Sequence, residues 1–304
     1  MKILITGSNG LLGQKLVQHI IKKGDRLVAT ARGKNRLPIP EEDYIYRSMD
    51  ITNRQEVIDV IGAVKPDVVI HTAAMTNVDQ CETEKEDCWK LNVDAVEYII
   101  EACEQTGAYL LHLSTDFIFD GENGPYDEEG VPNPVSYYGE SKLAAEQLLV
   151  NSGIRYGIAR TVLVYGMAHD MSRSNIILWV KSSLEVGKEI KVVDDQLRSP
   201  TLAEDLALGC YLMAEQRAEG IYNISGKDLL TPYDMAMKTA DFFKLNTSTM
   251  TRANASNFTQ TAKRPPKTGF IIEKAKRDLG YKPRSLMKEL LYWQNKWALA
   301  IELN

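Results

Sequence analysis

The sequence of 304 residues predicts an α/β protein that is built on a doubly wound parallel sheet and ends in a smaller, less regular part. Three observations predict this class. Short apolar runs alternate with amphipathic helical patterns as far as residue 165. The fourth run, DVVIHTAAMT, is nearly all apolar, as parallel strands buried on both faces are. Three glycines also form a tight turn between the first strand and the first helix.

Composition and charge argue against two classes of binding partner. Hydrophobic residues make up 44% of the chain, and the net charge is -5 with no block of lysine and arginine, which argues against nucleic acid or an anionic membrane. No apolar run approaches the roughly 20 residues of a spanning helix. The first strand starts at Lys2, which leaves no room for a cleavable targeting segment. We expect a cytoplasmic protein that is a monomer or a homodimer.

Cysteine and histidine show no metal-site pattern. Cys81, Cys88, Cys103 and Cys210 have no CxxC spacing, so we expect reduced thiols packed in helices rather than disulfides. His71 has no ligand partner nearby in the sequence, and we interpret it as a core histidine.

The first strand, KILITG, leads into a turn and the helix NGLLGQKLVQHIIKKG. Gly7, Gly10 and Gly13 allow the backbone to approach a pyrophosphate, and the helix N-terminus offers free N–H groups and a partial positive charge. A glycine triplet alone is a weak signal, but the strand before it and the helix after it support a dinucleotide site. The other predicted cofactor contacts of this turn are Asn9, Leu11 and Leu12.

The end of the second strand, DRLVATAR, predicts which dinucleotide is bound. An acidic residue there would bind the 2′-hydroxyl of an NAD ribose, whereas an arginine accommodates a 2′-phosphate. The residue here is Arg32, so we expect NADPH, with NADH as the alternative. A second interpretation of Arg32, as a solvated loop charge, stays open.

The third and fourth strands, YIYRSMDIT and DVVIHTAAMT, supply further cofactor contacts. Asp50 and Ile51 are expected at the adenine ring, although Asp50 could instead be the N-cap of the next helix. Ala73 and Ala74 are small enough for a cofactor to lie against them. Met75 and Thr76 follow as further predicted contacts. Residues 81–107 are then predicted as one long amphipathic helix, in which Asn92 is the odd polar residue and is expected to tie helix to strand.

The fifth strand and the helix after it predict a site that reduces a carbonyl group. The run YLLHLSTDFIF delivers Thr115 to the end of a buried strand. Tyr138 and Lys142 stand four residues apart and share one helical face, whereas Tyr137 points about 100 degrees away. A carbonyl oxygen between them would accept hydrogen bonds from Thr115 and Tyr138, while Lys142 lowers the pKa of the phenol.

Beyond the sixth strand, YGIARTVLVYG, the alternation becomes irregular. We predict that residues 1–165, completed by 201–221, form the dinucleotide-binding domain and that 166–200 and 222–304 form a substrate-binding lobe of mixed α/β structure. The loops from Met167 to Asn175 and from Asp194 to Thr201 are expected to line the substrate side. Arg198 is interpreted either as a ligand of a diphosphate or as a solvated loop charge.

The motifs TGSNGLLG, HTAAMTNVD, STDFIFDG and YYGESK, in this order, resemble the extended short-chain dehydrogenase/reductase family, which has a Rossmann-type fold. AAMTNVDQCE, STDFIFDG and DQLRSPT resemble its dTDP-4-dehydrorhamnose reductase branch. The resemblance implies that Tyr138 donates the proton, that Lys142 holds the nicotinamide ribose and that Thr115, with Asp116 beside it, contacts the sugar 4-keto group.

The sequence departs from the branch at three positions. Phe117 replaces the usual tyrosine after STD, and Leu163 replaces a tryptophan that packs on the sugar nucleotide, so both are expected to contact the substrate. Some members form a metal-bridged dimer through a glutamate of the first helix. The matching residue here is Lys15, and we therefore expect no structural magnesium.

The resemblance implies NADPH-dependent reduction of the 4-keto group of a nucleotide-linked 6-deoxy sugar, as in dTDP-L-rhamnose biosynthesis. Two alternatives stay open. One is a sugar-nucleotide 4-epimerase that retains its NAD. The other is a regulatory subunit resembling that of methionine adenosyltransferase, which binds a partner enzyme. A 4,6-dehydratase is less favoured, because those enzymes use an acidic pair and Phe117 follows Asp116 here.

Overall fold

A computed structural model describes residues 1–170, 174–288 and 290–291 of the chain. The strands in chain order are β1 (Lys2–Thr6), β2 (Arg26–Ala31), β3 (Ile45–Ser48), β4 (Val68–His71), β5 (Tyr109–Thr115), β6 (Tyr156–Thr161), β7 (Val164–Tyr165), β8 (Ile190–Val193), β9 (Thr201–Leu202), β10 (Gly220–Asn223) and β11 (Met250–Ala253). The α-helices are α1 (Leu11–Lys23), α2 (Arg54–Val64), α3 (Val78–Thr83), α4 (Lys85–Trp89), α5 (Ala95–Thr106), α6 (Tyr137–Val150), α7 (Ile176–Glu185), α8 (Ala203–Gln216), α9 (Pro232–Phe243) and α10 (Glu273–Leu279).

The central sheet confirms the predicted fold class. Its strands lie in the order β10-β6-β5-β4-β1-β2-β3, and every neighbouring pair is parallel. The order reverses between β1 and β4, which is the arrangement of a doubly wound sheet of the Rossmann type. Strand β10 comes from residues 220–223, late in the chain, and lies beside β6.

Two apolar layers hold helices against the sheet, one on each face. In β1, Ile3 and Ile5 point into the layer formed with α1 and α8, while Leu4 between them points into the layer formed with α2, α5 and α6. Successive strand residues face opposite sides, so a strand covered on both sides must be apolar at every position. This is why β1 appears in the sequence as an unbroken apolar run.

The glycine turn connects β1 to α1 by a close approach of backbone to backbone. Gly7 has a φ of +72°, which favours glycine, and a Cβ on it would lie 2.9 Å from the nitrogen of Ala73. A Cβ on Gly13 would overlap the carbonyl oxygen of Gly7 and lie 2.7 Å from the Cα of Ser8. The turn therefore brings the N-terminus of α1 directly over the ends of β1 and β4.

The single helix predicted for residues 81–107 is wrong. The structure has α3, a non-helical residue at Glu84, and then a helix that runs through α4, a π-helical turn at Lys90–Asp94 and α5 to its C-cap Gly107, where the helix was predicted to end. Asn92 lies in the π-helical turn, and its side chain accepts a bond from the nitrogen of Met75 (2.8 Å) and donates to the oxygen of Met75 (3.1 Å) and to Ser141 Oγ (3.0 Å). Extra turns of this kind often mark functional sites.

The remaining chain forms a smaller α/β part. Here β7 pairs with β9 and β8 pairs with β11, both in parallel, and α7 and α9 pack together over them. Strand β11 was not among the elements predicted from the sequence. The division of the chain into two domains stays a prediction, and residues 292–304 of the predicted substrate lobe lie outside the described residues.

A segment near the end of the chain ties the two parts together. Tyr126, which follows β5, donates its N–H to the oxygen of Gly269 (2.8 Å) and accepts a bond from the nitrogen of Ile271 (2.8 Å). Thr268 donates its N–H to the oxygen of Leu197 (3.1 Å). Residues 264–271, called the bridging segment below, therefore contact both the region after β5 and the loop before β9.

The four cysteines are buried thiols of α3, α4, α5 and α8 that form no disulfide among the described residues, as predicted. No helix among the described residues is long and apolar enough to cross a membrane.

The close approach at Gly13 yields a test. We expect Gly13→Ala to lower the free energy of unfolding by about 2 kcal/mol or more, because the new methyl group overlaps the turn. Gly62→Ala in α2 is the matched control, since a Cβ there meets no atom within 4 Å. The control should raise the free energy of unfolding by about 0.5 kcal/mol. Urea denaturation measures both, and equal effects would contradict the packing of the turn.

Candidate active site

A cavity of about 950 Å³ lies at the carboxyl ends of the central strands. It opens where the order of the sheet reverses, which is where doubly wound proteins bind ligands. All but one of the predicted site residues line it. These are Gly7, Asn9, Gly10, Leu11, Leu12, Gly13, Arg32, Asp50, Ile51, Ala73, Ala74, Met75, Thr76, Thr115, Asp116, Phe117, Tyr138, Lys142 and Leu163. Their individual roles stay predictions.

The side chain of Asn9 shapes the part of the cavity next to β2. It donates to the oxygen of Lys34 (3.0 Å) and accepts from the nitrogen of Arg36 (3.0 Å), so the loop after β2 is held against the glycine turn. Arg36 lines the cavity together with Arg32, and the sequence analysis missed it. A second cation four residues beyond Arg32 was the available signal.

Asp50 lies at the cavity beyond β3, in a tight local turn. Its Oδ1 accepts bonds from the nitrogen (2.9 Å) and the hydroxyl (2.8 Å) of Thr52. Burial acts to raise the pKa of this carboxyl, but these bonds and the charge of Arg32 lower it, so the group is ionised. The alternative interpretation of Asp50 as a helix N-cap is wrong, because the N-cap of α2 is Asn53, whose side chain accepts from Glu56.

Tyr138 lies in the first turn of α6, which begins after the N-cap Ser136. Its phenol is buried and hydrogen-bonds to the hydroxyl of Thr115, the last residue of β5, and Phe117 packs edge-on against its ring with 5.7 Å between centroids. Strand end and helix face each other, as the sequence predicted.

Burial raises the pKa of the Tyr138 phenol well above its usual value, the hydrogen bond with Thr115 lowers it, and the charge of Asp116 raises it further. The protein groups alone therefore keep Tyr138 protonated. That Lys142 and the positive charge of the oxidised cofactor together lower this pKa stays a prediction.

Lys142 is fully buried beneath Tyr138 on the same helix, with 3% of its surface exposed. Its Nζ lies 3.0 Å from Nε2 of His112 and 2.7 Å from the oxygen of Leu113. Burial lowers the pKa of the amine to about 8. His112 was not predicted as a site residue, because it stands inside an apolar strand and only its polarity distinguishes it there.

Both histidines beneath the cavity are neutral. Burial and then the charge of Lys142 lower the pKa of His112 far below its usual value, and the same two causes lower the pKa of His71 to about 3. The rings stack with 5.4 Å between centroids, and Nδ1 of His71 lies 2.7 Å from the hydroxyl of Thr6. His71 is therefore held inside the protein, as the core interpretation predicted.

Arg198 is the predicted site residue that does not line the cavity. The alternative of a solvated loop charge is wrong, because only 5% of its surface is exposed. Its terminal nitrogens donate to the backbone oxygens of Leu197, Pro265 and Pro266, and its Nε lies 3.8 Å from Oδ2 of Asp116. A direct contact with a diphosphate stays a prediction, and it would require these bonds to be exchanged.

Lys15, at the position where relatives were expected to carry a metal-binding glutamate, forms a buried ion pair. Its Nζ lies 3.0 Å from Glu204 of α8. This pair joins α1 to α8, the two helices that cover the same face of the sheet.

The sequence is similar to known proteins over most of its length. The profile of the family described as RmlD substrate binding domain matches residues 1–296. A dTDP-4-dehydrorhamnose reductase of Aggregatibacter actinomycetemcomitans is 29% identical over 304 residues, covering 95% of this chain and 97% of the relative. The methionine adenosyltransferase 2 subunit beta of Bos taurus is 29% identical over 252 residues, covering 81% and 73%.

Solved structures are similar over almost the whole chain. A dTDP-4-dehydrorhamnose reductase from Clostridium acetobutylicum superposes with a TM-score of 0.86 at 28% identity, covering 98% of this chain and all of the other. A reductase of the same name from Bacillus anthracis, solved in complex with NADP, gives a TM-score of 0.83 at 27% identity, with 97% and 100% covered.

The buried amine of Lys142 predicts how stability depends on pH. Its pKa is about 8 in the folded protein, against 10.5 for an ordinary lysine, so between these values the unfolded chain binds more protons and stability rises with pH. Relative to Lys142→Met, the wild type should gain about 3 kcal/mol across this range, at roughly 1.4 kcal/mol per pKa unit. Urea denaturation across the pH range measures this, with the exposed Lys22→Met as control. A difference that does not vary with pH would contradict the shift.

Proposed function

The chain belongs to the RmlD substrate-binding domain family, and from this premise we propose that it is an NADPH-dependent reductase of the 4-keto group of a nucleotide-linked 6-deoxy sugar. The coarse activity, an NAD(P)-dependent oxidoreductase of sugar nucleotides, is that of its relatives. One observation carries the proposal most directly. Thr115, Tyr138 and Lys142 meet in the same cavity as the glycine turn, so a hydride donor and a proton donor reach one point.

The residues of the cavity fit a dinucleotide. Gly7 and Gly13 allow the turn to pack closely against residues after β4 and against itself, and the N-terminus of α1 presents free N–H groups to a pyrophosphate. Ala73 and Ala74 leave room for the cofactor beyond the end of β4. Arg32, rather than an acidic residue, follows β2, and this favours a 2′-phosphate and hence NADPH.

In the proposed reaction the bound nicotinamide supplies a hydride to the carbonyl carbon. Tyr138 donates its phenolic proton to the carbonyl oxygen, which completes the alcohol. Thr115 offers its hydroxyl to the same oxygen and shares the negative charge that develops there. Lys142, charged below a pH of about 8, stabilises the phenolate that remains and holds the ribose of the cofactor.

Leu163 supports a specific substrate surface at the other end of the cavity. Its φ is +38°, in a region that bulky residues rarely occupy, and 39% of its surface is exposed. Strain of this kind is concentrated at functional sites. We propose that Leu163 and Phe117 provide apolar contacts to the sugar nucleotide in place of the tryptophan and tyrosine expected at these positions.

A regulatory subunit is the second candidate, because the relatives include beta subunits of methionine adenosyltransferase 2 at 29% and 30% identity. Such a protein would bind a partner enzyme, and turnover would not be its task. Coelution with a partner together with no turnover of any sugar nucleotide would favour it. A retained cofactor in the purified protein would instead favour the 4-epimerase.

Tyr138→Phe tests the proposed reductase. We expect NADPH oxidation by dTDP-4-dehydro-6-deoxy-L-mannose, followed at the nicotinamide absorbance, to fall by about 100-fold or more, since the phenylalanine has no proton to donate. The affinity for NADPH should not change. Tyr137→Phe is the matched control, because that ring faces Trp89, with 6.3 Å between centroids, and lies outside the cavity lining. A Tyr138→Phe protein that retains full turnover would rule out the assigned proton donor.

Arg32→Ala tests the cofactor. We expect the KM for NADPH to rise about tenfold and the KM for NADH to change little, because an arginine contact to a phosphate is charge-assisted. The exposed Lys34→Ala on the same loop controls for the general loss of positive charge. Arg36→Ala tests whether Arg36, the second arginine that lines the cavity, also contributes to binding of the 2′-phosphate. An unchanged ratio of the two KM values would refute the role of Arg32.

A further inference from the structure

Asp116 is a buried carboxyl for which the proposed reaction has no step. Only 2% of its surface is exposed. Oδ1 accepts a hydrogen bond from the hydroxyl of Thr115 (3.1 Å), and Oδ2 accepts one from the hydroxyl of Thr268. The Nε of Arg198 lies 3.8 Å from Oδ2. One carboxyl thus joins the end of β5 to the bridging segment and to the loop before β9.

Thr268 acts on the site only through Asp116. It is fully buried and, among the described residues, is not part of the cavity lining, whereas Asp116 and Thr115 are. The bridging segment around Thr268 is held by its backbone, through bonds to Leu197 and Tyr126. Removal of the Thr268 hydroxyl therefore leaves the path of the chain intact and takes away one bond to Asp116.

The hydroxyl of Thr115 has one proton and few partners that can fix it. Its oxygen accepts a weak bond from the nitrogen of Phe117 (3.3 Å) and meets the phenol of Tyr138. The remaining bond is the one to Asp116. A hydroxyl rotates freely unless its partners are fixed, so the orientation of Thr115 depends on the carboxyl, and the carboxyl depends on Thr268.

We propose that Asp116 is a positioning residue, through which Thr268 of the bridging segment fixes the position of the Thr115 oxygen beside the phenol of Tyr138, where the carbonyl is reduced. This inference rests on the proposed reduction. It assigns a function to the contact between the two parts of the chain: the substrate side of the protein sets the geometry of a hydroxyl on the cofactor side. A misplaced Thr115 stabilises the transition state poorly, while the cofactor still binds.

Thr268→Val is the variant that separates an effect on the transition state from an effect on cofactor binding. It removes the hydroxyl and retains the branched shape, and we expect kcat to fall about tenfold with the KM for NADPH unchanged. Thr268→Ser restores a hydroxyl and should restore most of kcat. Thr239→Val is the matched control, because Thr239 is an equally buried threonine of α9 whose hydroxyl bonds only the oxygen of Met235 (2.7 Å) among the contacts described.

Three results would overturn the proposal. The first is a Thr268→Val protein with the kcat of the wild type. The second is a loss of kcat that Thr268→Ser does not restore. The third is a loss equal to that of Thr239→Val or accompanied by an equal rise in the KM for NADPH, because either would indicate a general loss of structure.

A structural measurement keeps this test separate from that of the reductase. Crystal structures of the wild type and of Thr268→Val, each with NADPH bound, show the position of the Thr115 hydroxyl without any turnover. We expect it to leave hydrogen-bond distance of Asp116 in the variant, and an unmoved hydroxyl would refute the inference. If the wild type reduces no sugar nucleotide, the proposed function fails and these structures still decide the role of Thr268.

Discussion

The buried amide of Asn92 is the interaction on which the geometry of the cavity depends. It bonds both backbone groups of Met75, beyond β4, and the hydroxyl of Ser141, on α6. One side of the cavity wall is thereby fixed to the helix that carries Tyr138 and Lys142. A buried amide that lost these partners would leave several polar groups unpaired, each at a cost of about 1–3 kcal/mol. The π-helical turn is the local distortion that brings Asn92 to this place.

Charged side chains are buried around α6, which costs free energy because they lose their hydration. Hydrogen bonds and an ion pair at the same helix offset this cost. Lys142 donates to a neutral histidine and to a backbone oxygen rather than to a carboxylate. One turn further along α6, Glu146 accepts both a 2.7 Å and a 3.0 Å bond from Arg160 of β6. A buried pair of this kind contributes little net stability but strongly disfavours other arrangements of helix and strand. The electrostatics of α6 therefore fix its position more than they stabilise the fold.

Elements that depend on residues close together in the sequence were predicted correctly. Elements that depend on contacts between residues distant in the sequence were not. The glycine turn, the strand carrying Thr115 and the spacing of Tyr138 and Lys142 are local, and all were placed correctly. Asn92 in the π-helical turn bonds Met75, and the buried Arg198 bonds backbone oxygens of residues 265 and 266. Neither partner is visible from helical or strand periodicity. Strand β11 was missed for the same reason, because it is short and, among the described residues, pairs with β8 alone.

The late position of α8 and β10 in the chain affects how the protein is made. These elements, residues 203–216 and 220–223, cover one apolar face of the sheet and complete one of its edges. Before residues 203–223 leave the ribosome, six strands of the central sheet have been synthesised, and the part of the apolar face that α8 covers is exposed to water. Nascent chains with such surfaces aggregate and engage chaperones. The nascent protein is therefore prone to aggregation during translation until residues 203–223 have emerged.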